Sequence, residues 1–353
     1  MLDQSFSIEN FLKIIDLENR KGNHIEGRYF KNTDEITKKI KSKYAELRDL
    51  ETKKYILSND DYKDKKQQLN LEKDQLKEQK EKIIVSELKI VSENISKQNF
   101  NLSIMTTKSN LQDKIYTIVD KPESYFAIKQ LQTNLSRLYK VKQSNRNDII
   151  AQIKSLLEDN FPKFIIRTDI EKFYESIPTD KIIKKINEDS LLTSKSKKFI
   201  KQILYQYREL SESSTGIPRG IGISAYLSEL FMRDFDKNYK LAEDIIYYAR
   251  YVDDIIIIIS PKTDVDIDTY LNDLESNITK LGLKINQNKT KFMNIHKGNE
   301  NHTFCYLGYK ISLNQSSCKI ELTTNKINKY KARIDQSIKF YRRRKNTKTQ
   351  IKK

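Results

Sequence analysis

The sequence predicts an α+β fold, with an antiparallel sheet flanked by helices, a long helical hairpin before it and a short basic helical C-terminus after it. Three observations predict it. Residues 34–97 contain no Pro or Gly and mix charges of both signs around spaced Ile and Leu residues, the composition of long solvated helices packed along a seam. After about residue 120, short β-branched and aromatic runs alternate with turn signals and helical stretches. From Asn325 onward the chain is strongly basic and retains helical spacing of Tyr330, Ile334, Ile338 and Tyr341.

Taken in order, residues 6–19 place Phe6, Ile8, Phe11, Leu12, Ile15 and Leu17 on one broad helical face, with Ser7 as its cap. Residues 34–97 read as two helices folded back at Leu57-Ser58-Asn59-Asp60-Asp61, where turn and capping residues gather; a coiled coil joining two copies of the chain is the alternative. Strands are expected at Phe164–Ile166, Ile245–Tyr248, Ile255–Ile259, Lys284–Asn286 and Phe304–Ile311, and helices at Asp180–Tyr207, Ser224–Lys240 and Asp266–Leu281. These elements divide the chain into an N-terminal helix and loop (1–33), the helical hairpin (34–120), an α+β domain (121–325) and a basic helix and tail (326–353).

Charge narrows the partner. The chain of 353 residues has 66 Lys+Arg against 48 Asp+Glu, a formal +18, and residues 326–353 alone hold twelve Lys+Arg and one acid, Asp335. A polyanion is the natural partner of such a gradient. Residues 241–280 are instead net acidic. The longest apolar run, Ile255–Ile259, is far short of the ~20 residues that span a bilayer, and the acidic N-terminus lacks a secretory signal; no membrane partner and a cytoplasmic location are expected. Cys305 and Cys318 cannot build a disulfide framework, and with His296 and His302 they match no standard zinc spacing.

The sharpest chemical feature is Tyr251-Val252-Asp253-Asp254, set between two apolar strand segments. Adjacent carboxylates at the turn of an apolar hairpin repel each other and call for a cation; a hairpin turn that simply uses aspartates is the bland alternative. A second strand, Phe164-Ile165-Ile166-Arg167-Thr168-Asp169, also ends in a carboxylate. If it lies beside the hairpin, Asp169, Asp253 and Asp254 converge, and three carboxylates can hold two hard cations for phosphoryl or nucleotidyl transfer.

These residues resemble the palm of a reverse transcriptase. TDIEKFYESI around Asp169 resembles the first catalytic-aspartate motif, and YVDD resembles the YxDD box. GIPRGIGISAYLSEL (Gly216–Leu230), LGLKINQNKTKF (Leu281–Phe292) and Tyr306-Leu307-Gly308-Tyr309 resemble the intervening, GLxLNxxKT and primer-grip blocks. Ala127-Ile128-Lys129 followed by Arg137 is similar to a fingers motif. The blocks stand in family order across residues 121–312. Five of the chain's eight glycines (Gly216, Gly220, Gly222, Gly282, Gly308) fall inside them. The resemblance implies right-hand polymerase fingers and palm.

It also implies roles. Asp169, Asp253 and Asp254 would ligate two Mg2+ ions, with Lys289 as proton donor to the leaving pyrophosphate. Tyr174 would exclude a ribose 2′-hydroxyl, and Lys129 and Arg137 would neutralise the triphosphate. Arg219 and Gly220 would border the nucleotide; Ser224, Tyr306, Leu307 and Gly308 would contact template and primer. Arg219 departs from the Gln usual at its position, Ile-Gly-Ile follows where small polar residues are common, and the stretch after the primer-grip block leaves little room for a full helical thumb.

A palm with a short C-terminus, an N-terminal helical insertion and the PRGIGIS block looks most like the antiphage defence-associated reverse transcriptases, with retron-type or group II-like enzymes as competitors. The expected activity is DNA synthesis from dNTPs on a bound non-coding RNA template, giving a DNA product, in company with a second reverse transcriptase or a self-oligomer. A template-independent or protein-primed terminal transferase and a non-catalytic RNA-binding scaffold are the alternatives.

Overall fold

Ser7 caps the first helix as its position predicts: its hydroxyl accepts from the Asn10 amide, and Phe11, Ile14 and Ile15 are buried on the inward face of α1 (Ile8–Arg20). The computed structural model describes residues 2–56, 58–107, 114–159, 161–260, 267–295, 301–314 and 317–350. His296, Leu57 and Asp266 lie outside them.

A short α2 (Ile25–Tyr29) leads to α3 (Asp34–Thr52) and α4 (Asn59–Ser96), which pack on each other as an antiparallel hairpin. Lys43 of α3 bridges Glu72 of α4 at 2.8 Å. Ser58 caps the return helix through the Asp61 amide, so the break at Ser58–Asp61 has the capping chemistry its sequence suggests. A two-stranded ribbon, β1 (Ile104–Thr107) and β2 (Ile115–Ile118), and α5 (Pro122–Tyr139) follow. Phe126 of α5 is fully buried against Phe11 and Phe30, at ring distances of 5.1 and 6.1 Å.

The chain continues through α6 (Arg146–Leu157), β3 (Lys163–Asp169) and the single turn α7 (Phe173–Ser176), then α8 (Thr179–Glu188), α9 (Ser194–Ser211) and α10 (Gly222–Leu241). The expected helical segment Asp180–Tyr207 resolves into two helices. Ser190 adopts a left-handed φ of +47°, and Thr193 starts α9 by accepting from the Ser196 amide. Beyond α10 lie β4 (Ile245–Tyr251), β5 (Asp254–Ile259), α11 (Ile267–Lys280), β6 (Lys291–Ile295), β7 (His302–Tyr306), β8 (Tyr309–Asn314), β9 (Ser317–Leu322) and α12 (Thr324–Gln350). Two strand expectations need correction. Lys284–Asn286 makes only an isolated bridge, Ile170 to Ile285, and Phe304–Ile311 is broken into two strands at Leu307-Gly308.

Two compact units emerge: Met1–Val141 with Thr179–Leu227, and Lys142–Pro178 with Ser228–Lys353. The second contains an antiparallel sheet ordered β4-β5-β3-β6 and a three-stranded sheet β7-β8-β9. Central β5 is buried on both faces, which is why Ile255–Ile259 reads as an unbroken apolar run. On one face Ile165, Ile256 and Ile258 pack with Ile149 and Ile153 of α6 and with Phe304, Ile311 and Leu313. Each such buried side chain contributes ~1.5–3 kcal/mol relative to exposure. This packing fixes the sheet whose edge carries the acidic residues. Among the described residues, no helix is long and apolar enough to cross a membrane.

Candidate active site

The order β4-β5-β3 brings both carboxylate-bearing strands together at one end of the sheet. Asp254 pairs with Tyr251 on one side and with Asp169 on the other. Only Val252 and Asp253 separate β4 from β5, so the hairpin has a two-residue loop. The Ile170 amide donates to the Asp253 carbonyl at 3.0 Å, and the Asn286 amide donates to the Asp169 carbonyl at 2.7 Å. Asp169, Asp253 and Asp254 each offer a carboxylate oxygen, all within 4.8 Å of one another.

Electrostatics follow from that crowding. Burial raises the Asp254 pKa, the Asp253 and Asp169 carboxylates raise it further, and the Arg167 guanidinium, 3.5 Å away, opposes them. Asp169 is 7% exposed and receives the Lys289 ammonium at 3.1 Å on both carboxylate oxygens. Three convergent hard-oxygen donors that repel one another suit a divalent cation, which would hold them together by ligation rather than by protonation.

The turn is strained. Val252 has a φ of +61°, whereas Asp253 does not adopt positive φ. That is the pattern of a hairpin turn whose first central position favours glycine. A β-branched residue there is an outlier with a cost on the order of 1–3 kcal/mol. Arg250, 4% exposed, lies beneath the turn. All five of its N–H donors are used: Nε and Nη2 to Asp236, Nη1 and Nη2 to Glu229, and Nη1 to the Val252 carbonyl at 2.9 Å. Burial disfavours its charge, but the two carboxylates more than offset this and raise its pKa.

Other residues singled out from the sequence fall as follows. Tyr174 lies half-buried on α7, with its ring 5.6 Å from Phe173. Tyr306 is 1% exposed and its hydroxyl donates to the Asp254 carbonyl at 3.2 Å. Leu307 and Gly308, at φ +49° and +80°, form the two-residue turn between β7 and β8. A cleft of about 610 Å³ is lined by Asp253, Asp254, Tyr306 and Gly308 together with Arg146, Arg167 and Lys326. Acidic and basic groups therefore share one concavity in this unit.

Lys129, Arg137, Arg219, Gly220 and Ser224 belong to the first unit. Lys129 and Arg137 line a smaller cleft of about 210 Å³ with Glu18, Lys21, Gln132 and Tyr226. The Lys129 ammonium donates to Glu18 at 2.9 Å. Glu18 is buried, which favours its neutral form, yet bonds from Lys129, Asn23 and Lys21 pull its pKa down to about 2. The Arg219 carbonyl accepts from the Tyr116 amide at 2.8 Å, and Gly220 at φ +104° has no room for a Cβ, which would meet the Tyr116 carbonyl at 2.6 Å. Ser224 is buried, with its hydroxyl on the Pro218 carbonyl at 2.7 Å, so its side chain shapes the Pro-Arg-Gly loop.

Sequence reasoning missed Arg250, Glu229, Asp236, Arg167 and Glu18. Arg167 had a signal, because it stands two residues before Asp169 on the same strand face. Glu229 and Asp236 are seven residues apart, two turns of one helix face. Their convergence on Arg250 needs the folding of α10 beside β4 and left no mark in the sequence.

Residues 79–311 match the reverse transcriptase (RNA-dependent DNA polymerase) family. The chain belongs to that family, with its palm and fingers in a mixed helix and antiparallel-sheet fold. Solved structures with similarity include apo telomerase from Candida tropicalis truncated from its C-terminal domain (17% identity, TM-score 0.44, 64% of this chain and 56% of that one). Telomerase from Candida tropicalis in complex with a TWJ fragment of telomeric RNA gives 16% identity and a TM-score of 0.45, over 64% and 45% of the two chains. The corresponding Candida albicans complex gives 14%, 0.42, 65% and 47%. The chain spans about half the length of these telomerase chains. No curated protein matches the sequence.

Proposed function

We propose that this reverse transcriptase family member synthesises DNA from dNTPs on an RNA template by two-metal nucleotidyl transfer. The observation that carries the reading is the convergence of Asp169, Asp253 and Asp254 within 4.8 Å. Bound there, two Mg2+ ions would activate a primer hydroxyl and neutralise charge on the leaving group. The residues' own work is separable from that chemistry. Asp169 and Asp254 supply oxygens from adjacent strands, and Asp253 supplies a third from the turn. Lys289, which donates to Asp169, is assigned the role of proton donor to the departing pyrophosphate. Tyr174 is assigned the exclusion of a 2′-hydroxyl. Lys129 and Arg137, which share a cleft, are assigned the triphosphate, and Arg219 and Gly220 the border of the nucleotide. Ser224, Tyr306, Leu307 and Gly308 are assigned to the template-primer side. Arg146, Arg167 and Lys326 give the cleft beside Asp253 the positive charge that a nucleic-acid backbone requires.

The test is primer extension with labelled deoxynucleotides on an RNA template. Wild type is expected to extend the primer in a Mg2+-dependent way, and Asp253→Asn combined with Asp254→Asn is expected to abolish extension. Equal synthesis by the double variant would overturn the reading. Sequencing the product separates templated copying from terminal addition or protein priming.

The finer setting, antiphage defence with a bound non-coding RNA, draws its support from the PRGIGIS block and the N-terminal helical hairpin. Phage plating on cells expressing wild type or the double variant tests it, and equal plating on both would sink it. A single RNA enriched with the purified protein would identify the template.

A further inference from the structure

The guanidinium of Arg250 is bonded at once to two partly buried carboxylates and to the backbone of the turn that carries Asp253. Glu229 receives it in a bidentate pair at 3.1 and 2.7 Å, Asp236 in a second at 2.9 and 2.7 Å, and the Val252 carbonyl at 2.9 Å. Asp236 is itself fixed by the Tyr248 hydroxyl at 2.6 Å. Val252 sits at φ +61°, where glycine would be at ease and valine is not. Left alone, a valine turn would relax toward negative φ and swing the following peptide. That peptide presents Asp253, whose carbonyl also accepts from Ile170, next to Asp169.

We infer that Arg250 is a positioning residue: clamped by Glu229 and Asp236 of α10, it holds the Val252-Asp253 turn in its left-handed conformation and thereby sets the geometry of the three metal-binding aspartates. This inference rests on the proposed metal role of Asp169, Asp253 and Asp254. Five N–H donors on one plane are needed for the arrangement, and lysine, with three donors on a point charge, cannot reproduce it. Groups that orient metal ligands typically alter metal affinity by 10–100-fold when removed.

The experiment titrates Mn2+ into the full chain by electron paramagnetic resonance, with circular dichroism to verify folding. Arg250→Lys and Glu229→Gln are each measured alone and combined with Val252→Gly, and Val252→Gly alone is the reference for both combinations. In the native valine turn each substitution is expected to weaken Mn2+ binding by about tenfold or more. In the Val252→Gly background, where the turn no longer needs to be held, the same substitutions should weaken it by less than about threefold. A merely structural role for the cluster would give equal losses in both backgrounds. Should Arg250→Lys fail to fold, the Glu229→Gln pair decides, because it leaves Arg250 paired with Asp236. Equal losses in the two backgrounds, or no loss in a folded variant, overturn the inference alone. Absence of Mn2+ binding by wild type overturns the metal reading and this inference with it.

Discussion

Asp169 and Asp254 occupy directly opposed positions in the antiparallel register of β3 and β5. Like charges on one rung destabilise a sheet by roughly 0.2–1 kcal/mol, and here Asp253 adds a third carboxylate to the pair. The fold therefore stores repulsion at the place where the family resemblance puts catalysis, a trade of stability for function.

That repulsion gives the first prediction. Burial, then Asp253, raises the folded-state pKa of Asp254 above its ordinary 3.8 despite Arg167. Over the window between those values the folded protein binds the extra proton, so Asp254 lowers stability as pH rises through its folded pKa. Asp254→Asn is expected to melt above wild type in metal-free buffer at neutral pH, and the advantage should shrink on acidification. Mg2+ should raise the Tm of wild type and leave the variant unmoved. Thermal unfolding followed by circular dichroism across this pH range checks both signs.

Glu18 behaves in the opposite sense. Its carboxylate is buried, yet Lys129, Asn23 and Lys21 hold its pKa at about 2 against an ordinary 4.5. The contribution is complete above 4.5 and is lost as pH falls from there toward 2. Glu18→Gln is expected to cost about 1–3 kcal/mol at neutral pH, because it leaves the Lys129 ammonium without its ionic partner. Urea titration at neutral pH measures the loss, and repeating it near the acid end should find the two proteins converging.

Much of this was legible beforehand, for physical reasons. Ile255–Ile259 announced a strand, Ser7 and Ser58 announced helix starts, and the strand-ending Asp169 with the Asp253-Asp254 pair announced the carboxylate cluster that converges within 4.8 Å. The misreadings share a cause. Phe304–Ile311 is apolar enough for one strand, and only the positive φ of Leu307 and Gly308 divides it. Lys284–Asn286 has strand-like residues but finds a single bridging partner, Ile170. The Arg250 cluster was invisible because an ion triad is made by tertiary approach of α10 to β4, while Arg, Glu and Asp are common throughout a chain that is 32% charged.

Tyr306 supplies a third test. Its ring is 1% exposed within the core of the second unit, and its hydroxyl donates to the Asp254 carbonyl at 3.2 Å. Burial raises the phenol's pKa, with Asp254 adding to the shift, so the group stays neutral and keeps its donor. Tyr306→Phe preserves the packing and removes one hydrogen bond. A loss of about 0.5–1.5 kcal/mol in equilibrium unfolding is expected; Tyr306→Ala, which also opens a cavity, should cost about 3–5 kcal/mol.

Two glycines separate the cost of conformation from the cost of collision. Gly220 and Gly308 both require positive φ, +104° and +80°. At Gly308 an added Cβ would meet Lys326 Cδ at 2.8 Å, and that flexible side chain can move aside. At Gly220 it would meet the Tyr116 backbone carbonyl at 2.6 Å, and β2 is held there by the bond from the Tyr116 amide to the Arg219 carbonyl. Gly308→Ala is therefore expected to cost about 1 kcal/mol of backbone strain. Gly220→Ala adds displacement of a paired strand to a similar strain, and should cost at least about 2–3 kcal/mol. Side-by-side denaturant titrations of the two variants measure the gap, and equal losses would show that β2 yields as readily as a lysine side chain.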